Sequence, residues 1–299
     1  MGQDKPQAPD SGARLLCVTG GPGIFSQDEI VGPNSEEDMA ESEGKPKGLA
    51  QARTVVRSVS FFVVFGVVTV VISLSVILLS PWPRTMSFRR RLENFWARTA
   101  VRASGVRVES DIPELDPNQN YVFLANHQSH LDIPVILSLF PEHCPRFLAK
   151  ESLFRIPVFG PGMGNTGHFS VNRENRRQGM KDLQRVVDAM QRGESALIFP
   201  EGTRNMDANG LLPFQTGAFI VLLKSGVPAV PLILDGSNRI LPKGAKLMRP
   251  GTVRIRALPS INIAERYTLK DRESLKQEIW RMMQNEFLEF TSWQEETTG

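Results

Sequence analysis

The spacing of apolar residues changes along the chain, and each rhythm predicts a different element. Residues 58–80, SVSFFVVFGVVTVVISLSVILLS, carry no charge over 23 positions, and about 20 apolar residues are enough for a helix to cross a bilayer's hydrocarbon layer. A buried core helix and a membrane-dipping helix that does not cross are the competing readings. Residues 86–103, MSFRRRLENFWARTAVRA, put Phe88, Leu92, Phe95, Trp96 and Thr99 on one helical stripe with arginines elsewhere. That pattern predicts an amphipathic helix, lying in the membrane interface or packed on a soluble domain. From about residue 104 short β-rich runs alternate with helical patterns. GVRVE, YVFLA, RFLA, HFSV, ALIFP, AVPLIL and TVRIRAL read as strands. Residues 176–191 place Met180, Leu183, Val186, Val187 and Met190 at helical spacing. Residues 216–225 and 271–290 also read as helices, the latter with Leu275, Ile279, Met282, Met283, Phe287 and Phe290 on one side. Such alternation predicts an α/β domain with a mixed, largely parallel sheet flanked by helices.

Residues 1–50 are rich in Gly, Pro, Ser and acids without a sustained apolar period, which predicts a disordered acidic tail. The expected organisation is therefore a tail over 1–50, a membrane anchor over 51–103 and an α/β domain over 104–299. The tail's TGGPGIF lacks the Lys-Ser/Thr ending and preceding strand of a phosphate loop.

Charge changes this picture in one respect. The tail holds nine acidic against four basic residues, a balance of −5, so the total of +3 leaves +8 on the remainder. A basic body suits anionic partners such as phosphate esters or a charged membrane surface. Without a dense Lys/Arg tract interleaved with aromatics, and with an apolar anchor, nucleic acid is not among them. With only two cysteines, Cys17 and Cys144, the first within the expected disordered tail, the sequence predicts no disulfide framework. Basic residues flank both ends of the apolar stretch, so the charge bias sets no orientation.

Four stretches carry candidate chemistry. NHQSHLDIP, residues 126–134, follows the strand YVFLA, at the carboxyl end where open α/β sheets place ligands. His127 and Asp132 are five apart, far from one face of a regular helix, so they meet only if the chain turns between them. Asp132 then either caps a helix, helps His127 and His130 bind a metal, or orients His127 as a general base. ALIFPEGTRN runs a strand into Glu201, Gly202, Thr203 and Arg204. Glycine there permits close backbone approach, and the guanidinium offers a planar fork to a phosphate, or pairs with Glu201. In GHFSVNREN, Arg173 also follows a strand and is a second phosphate candidate. GVPAVPLIL sets Val227, Pro228, Val230 and Pro231 as a stiff apolar wall, either core or the lining of a fatty-chain channel. No Gly-x-Ser-x-Gly elbow supplies a protein nucleophile.

Taken together and in this order, the four stretches resemble the glycerolipid acyltransferases, and most closely the 1-acylglycerol-3-phosphate O-acyltransferases. Asn126, His127 and Asp132 match Asn-His-x4-Asp; Phe199 to Arg204 match Phe-Pro-Glu-Gly-Thr-Arg; Val227, Pro228 and Pro231 match Val-Pro-x-x-Pro. Gly167 and Arg173 are similar to the second motif, with Asn172 where Asp is frequent, and FLAKESLFRIPVFG is similar to the Lys-Glu-Leu…Pro…Gly segment.

The resemblance implies a glycerol-3-phosphate acyltransferase-like fold with His127 as base and Asp132 orienting it. It implies that Arg173, Glu201, Gly202, Thr203 and Arg204 hold the acceptor's glycerol phosphate, with Lys150 a weaker candidate, and that Val230 and Pro231 handle the acyl donor. The implied reaction is direct transfer from acyl-CoA or acyl carrier protein to the sn-2 hydroxyl of 1-acylglycerol 3-phosphate, giving phosphatidic acid without metal or cofactor. The implied partners are lysophosphatidic acid, an anionic bilayer and the acyl donor. The implied location is a membrane, with the catalytic domain facing the cytosol or a plastid stroma. Alternatives are another acceptor, such as glycerol 3-phosphate or another lysolipid, a metal-dependent hydrolase on His127, His130 and Asp132, and a lipid-binding protein without turnover.

Overall fold

The computed structural model describes residues 47–207 and 209–297; the expected acidic tail lies outside them up to residue 46. All seven expected strands form: β1 (Arg107–Asp111), β2 (Val122–Ala125), β3 (Arg146–Lys150), β4 (Phe169–Val171), β5 (Ala196–Ile198), β6 (Ala229–Asp235) and β7 (Thr252–Ala257). They make one sheet in the order β1-β7-β6-β2-β5-β3-β4. Pairing is parallel throughout except between β6 and β7. The sheet is therefore mixed and largely parallel. The central β2 and β6 are buried on both faces, which explains their continuous apolar runs.

Side chains alternate between two layers. Val122 and Leu124 face a core closed by α6 (Arg176–Gln191), α7 (Thr216–Ser225) and α9 (Arg272–Thr297). Phe123 and Ala125 face the other core, closed by α2 (Met86–Ser104), α3 (Asp132–Leu139) and α5 (Phe159–Thr166). Two short helices, α4 (Glu151–Phe154) and α8 (Ser237–Ile240), complete the domain.

The apolar stretch forms α1 (Lys47–Leu79), which begins at Lys47 rather than Ser58 and so takes in the end of the expected tail. Among the described residues, Gln51–Leu79 is the one helix segment long and apolar enough to cross a membrane. It does not stand apart from the domain. Ser58, Phe61, Ser73 and Val76 are buried along one side. Arg57 donates to the Ser104 carbonyl at 3.1 Å, and Trp96 Nε1 donates to Thr69 Oγ1 at 2.9 Å. Gly162 of α5 packs on Ser73 so closely that a Cβ there would sit 2.7 Å from the serine side chain. The outer side is a ridge of exposed valines with Phe62, Leu74 and Leu78.

The amphipathic helix α2 packs on the domain by a line beside its apolar stripe rather than by the stripe itself. Its buried line is Arg89, Glu93, Ala97, Ala100 and Ser104, whereas Phe88 and Phe95 are exposed. Burial of charge is tolerated because the groups are paired. Arg146, 1% exposed, donates to Glu93 at 2.6 Å, and His168 Nε2 lies 2.5 Å from the other Glu93 oxygen. The Phe147 N–H donates to His168 Nδ1 at 3.3 Å, which leaves the ring proton on Nε2, facing the carboxylate. Against its burial, the charge of Arg146 and the hydrogen bonds from His168 and Arg146 hold Glu93 below the usual carboxylate range, and burial pulls His168 down. In α6, Met180 falls off the expected buried stripe. Gly179 takes the inner position, where a Cβ would meet the Asn172 carbonyl at 2.6 Å.

Candidate active site

β2 ends at Ala125, and the chain then makes a polar turn into α3. Asn126 fixes the start of that turn. Its amide donates to the Leu234 carbonyl at 2.9 Å and its oxygen accepts from the Leu234 N–H at 2.7 Å, so the side chain stands in for a strand neighbour of β6. Asp132 fixes the end. It is the first residue of α3, with Leu131 rather than Asp132 at the cap position. Its carboxylate therefore turns back instead of capping its own helix. Oδ2 accepts the backbone N–H groups of Gln128 and Ser129 at 2.7 and 2.8 Å, and lies 2.8 Å from His127 Nδ1. Oδ1 is buried with no hydrogen-bond partner among the described residues. Asp132 is fully buried, whereas the His127 side chain retains 15% of its exposure. Pro134, in the first turn of α3, suits that position.

A carboxylate on Nδ1 directs the free lone pair to Nε2, on the open side of the ring. The ring is held from a second direction by Phe199, stacked on it at 4.0 Å between centroids. Phe199 ends the β5 run and starts the second loop. Glu201 in that loop is buried, and both its oxygens are occupied: Oε1 accepts the His127 N–H at 2.8 Å and Oε2 the Leu212 N–H at 3.0 Å. Burial pushes its carboxyl up to about 7, although both hydrogen bonds oppose this. Glu201 thus braces the two loops against each other, and it makes no ion pair with Arg204. The Asn205 N–H, donating to the His127 carbonyl at 2.6 Å, is a second brace.

The remaining expected residues divide. Arg173 donates to the Gly202 carbonyl. Arg173, Glu201, Gly202 and Thr203 line a cleft of about 390 Å³ together with the apolar Leu148, Leu183 and Ile198. Gly202 has φ +71°, a backbone region open to glycine, and a Cβ would press on Gln215 at 3.2 Å. Arg204 lies on the His127 side, where it and His127 add to burial in pulling the His130 imidazole down. Lys150 opens on a neighbouring cleft of about 120 Å³ that shares only Arg173 among these residues, and it pairs with Glu174 at 3.3 Å. Val230 and Pro231 are buried in β6, in register with Phe123 and Leu124 of β2. Both are buried, and neither lines the two clefts just described.

Sequence reasoning passed over Asn172. Its Oδ1 accepts the N–H groups of Glu174 and Asn175, its amide donates to Glu151 at 2.7 Å, and its own N–H donates to buried Asp182 at 2.9 Å. That network shapes the turn carrying Arg173. The Asn-x-x-Asn spacing to the α6 cap, Asn175, was the available signal. Among the described residues, no three His, Cys, Asp or Glu side chains are grouped as metal ligands.

Comparison with known proteins bears on the family and the fold. The Acyltransferase family profile matches residues 105–235. A 1-acyl-sn-glycerol-3-phosphate acyltransferase of Chlamydomonas reinhardtii is 36% identical over 68% of this chain and 64% of its own length. One from Limnanthes alba is 30% identical over 67% of this chain and 72% of its own. The chain thus spans less than two thirds of the Chlamydomonas relative. The crystal structure of the 1-acyl-sn-glycerophosphate acyltransferase from Thermotoga maritima superposes with a TM-score of 0.68. It is 21% identical and covers 81% of this chain and 97% of its own, a likeness of fold. On the identity and coverage of these relatives, the chain belongs to the acyltransferase family whose members include the 1-acyl-sn-glycerol-3-phosphate acyltransferases.

Proposed function

We propose that this protein transfers a fatty acyl group from a thioester donor, acyl-CoA or acyl carrier protein, to the sn-2 hydroxyl of 1-acylglycerol 3-phosphate, forming phosphatidic acid. The observation that carries this reading is the buried carboxylate of Asp132 on His127 Nδ1 at 2.8 Å, itself held by two backbone N–H groups. His127 Nε2 takes the proton of the acceptor hydroxyl as its oxygen attacks the thioester carbonyl. Asp132 holds the tautomer and stabilises the imidazolium; the proton then passes to the thiolate as it leaves. Positioned proton transfer of this kind is worth roughly 10²–10⁴-fold in rate.

Arg173, Gly202 and Thr203, with Arg204 from the His127 side, are the groups for the glycerol phosphate. Arg173 donates to the Gly202 carbonyl through one N–H, and its guanidinium has further N–H groups to offer a phosphate. Glu201 holds the two loops together and lines the same cleft beside Gly202.

Membrane attachment follows from α1, and its docking supports a particular mode. A helix packed on its own domain from Ser58 to Val76, about 27 Å, is not free to leave that domain and cross a bilayer. Its outer valine ridge instead enters the near leaflet, which keeps the strand-end site close to the headgroups. The catalytic domain then stays on one side, the cytosol or a plastid stroma.

The test is acyl transfer from acyl-CoA to 1-acylglycerol 3-phosphate in detergent, with EDTA present. Phosphatidic acid from the wild type and none from His127→Ala is the expected result. Equal product from both would end the base assignment, and product lost on chelation would favour a metal-dependent reaction.

A further inference from the structure

We propose that the loop of residues 242–250, between α8 and β7, is a second membrane contact: a basic foot with a leucine tip that docks on an anionic bilayer surface. The inference rests on the reading of α1 as the membrane anchor. Residues 236–264 contain no acidic residue, and Lys243, Lys246 and Arg249 all project from this one loop. All three are exposed, and none has a carboxylate partner among the described residues. Leu247, between them, is 44% exposed, while its neighbour Met248 is fully buried.

The loop is fixed rather than free. The Met248 N–H donates to Ser58 Oγ of α1 at 2.8 Å, and the Met248 side chain packs with Phe61, Ile240 and Val253. The Arg249 N–H donates to the Ile240 carbonyl at 2.9 Å. Ser58 has a particular place in the sequence: it is the first residue of the charge-free stretch, just after Arg57. Ser58 is buried on the domain side of α1, so the loop is held beside the polar end of the anchor, next to exposed Val55. Cations at that level each improve binding to anionic lipid by roughly fivefold at low salt, an effect that fades within a Debye length.

The patch is also continuous with the anchor. Val55, Val56 and Val59 are exposed on the same end of α1, while Trp82, Phe88 and Phe95 are exposed toward the other end. The foot and the aromatic end of α2 thus bracket the valine ridge. An apolar ridge running into a basic loop matches the layered polarity of a bilayer edge better than the surface of an acidic protein.

The experiment uses the full chain and its Lys243→Gln/Lys246→Gln/Arg249→Gln and Leu247→Asp variants. Binding is measured by co-sedimentation with phosphatidylcholine vesicles, with and without phosphatidylglycerol, at low and high salt. The wild type should bind the phosphatidylglycerol vesicles more tightly. The triple variant should lose at least about tenfold of that preference, and keep its activity in detergent micelles. Leu247→Asp should bind both vesicle types more weakly. Wild-type vesicle preference in the triple variant would overturn the foot while leaving the anchor standing. A wild type that binds neither vesicle would overturn the anchor reading itself, and the foot with it. Unchanged vesicle binding with a reduced rate from acyl carrier protein, but not from acyl-CoA, would reassign the loop to an acidic protein.

Discussion

The ring of Phe199 lies over the imidazole of His127 at 4.0 Å and 21°, so the residue before Pro200-Glu201-Gly202-Thr203-Arg204 touches the residue that starts the other loop. Packing and the Asp132 hydrogen bond together leave the imidazole little rotational freedom. His127→Ala is expected to cost about 10²–10⁴-fold in kcat. Phe199→Ala should cost less, about tenfold, and fall on kcat more than on KM, because the base survives but is less well aimed. Steady-state kinetics of the two variants separate these effects. Equal losses would mean that Phe199 does more than position the ring.

Glu201 links stability to pH. Its carboxyl is raised from 4.5 to about 7, so between those values the folded protein holds a proton that the unfolded chain has released. Stability from this group is therefore present below pH 4.5, declines as pH rises, and levels off above about 7. The full span is on the order of 3 kcal/mol. His130 and His168, both pulled down by burial, act in the opposite direction below their ordinary value. The difference between wild type and Glu201→Gln isolates Glu201: the wild-type melting temperature should fall relative to the variant from about pH 5 to about pH 8. A constant difference across that range would show that Glu201 does not titrate there.

Arg146 gives a prediction about the α2 interface. Removing one partner from a buried ionic cluster leaves the others uncompensated, so Arg146→Met should cost about 3–5 kcal/mol by denaturant unfolding. A double replacement, Arg146→Met with Glu93→Leu, should recover part of that loss, because an apolar pair of similar volume needs no desolvation. If the double variant is as unstable as the sum of the singles, the two residues do not act as a pair.

Gly162→Leu should loosen α1 from α5, since even a Cβ at this position meets Ser73 at 2.7 Å. Proteolysis near residues 80–85 should quicken while the strand core stays protected in hydrogen exchange. Ser73→Gly in the same chain should reduce the effect.

Much of this architecture was legible because each strand carries its own apolar run and each helix its own period. The seven strands, and the helices over 176–191 and 216–225, fall where the pattern puts them. What misled was polarity on the inside. The stripe through Phe88 and Phe95 does not reveal that the buried line of α2 holds Arg89 and Glu93, because Arg146 of β3 and His168 just before β4 lie far away in sequence. Likewise Glu201 looks like a surface acid beside Arg204, and only the fold brings the His127 and Leu212 N–H groups to it. Pro231 reads equally as core or channel wall in the sequence, and its register with Leu124 of β2 is visible only in the fold. Local rhythm reports the secondary structure, whereas the partners of buried polar groups are long-range.

The docking of α1 means that its inner face is part of the domain's own interior. Phe61 joins a core cluster with Leu131 and Val135, the latter inside the helix that Asp132 begins. The long apolar helix and the His127–Asp132 turn are therefore two sides of one packed wall. Cutting the chain before residue 86 would do more than remove an apolar helix: it would strip the backing from the helix that holds the Asp132 carboxylate in place.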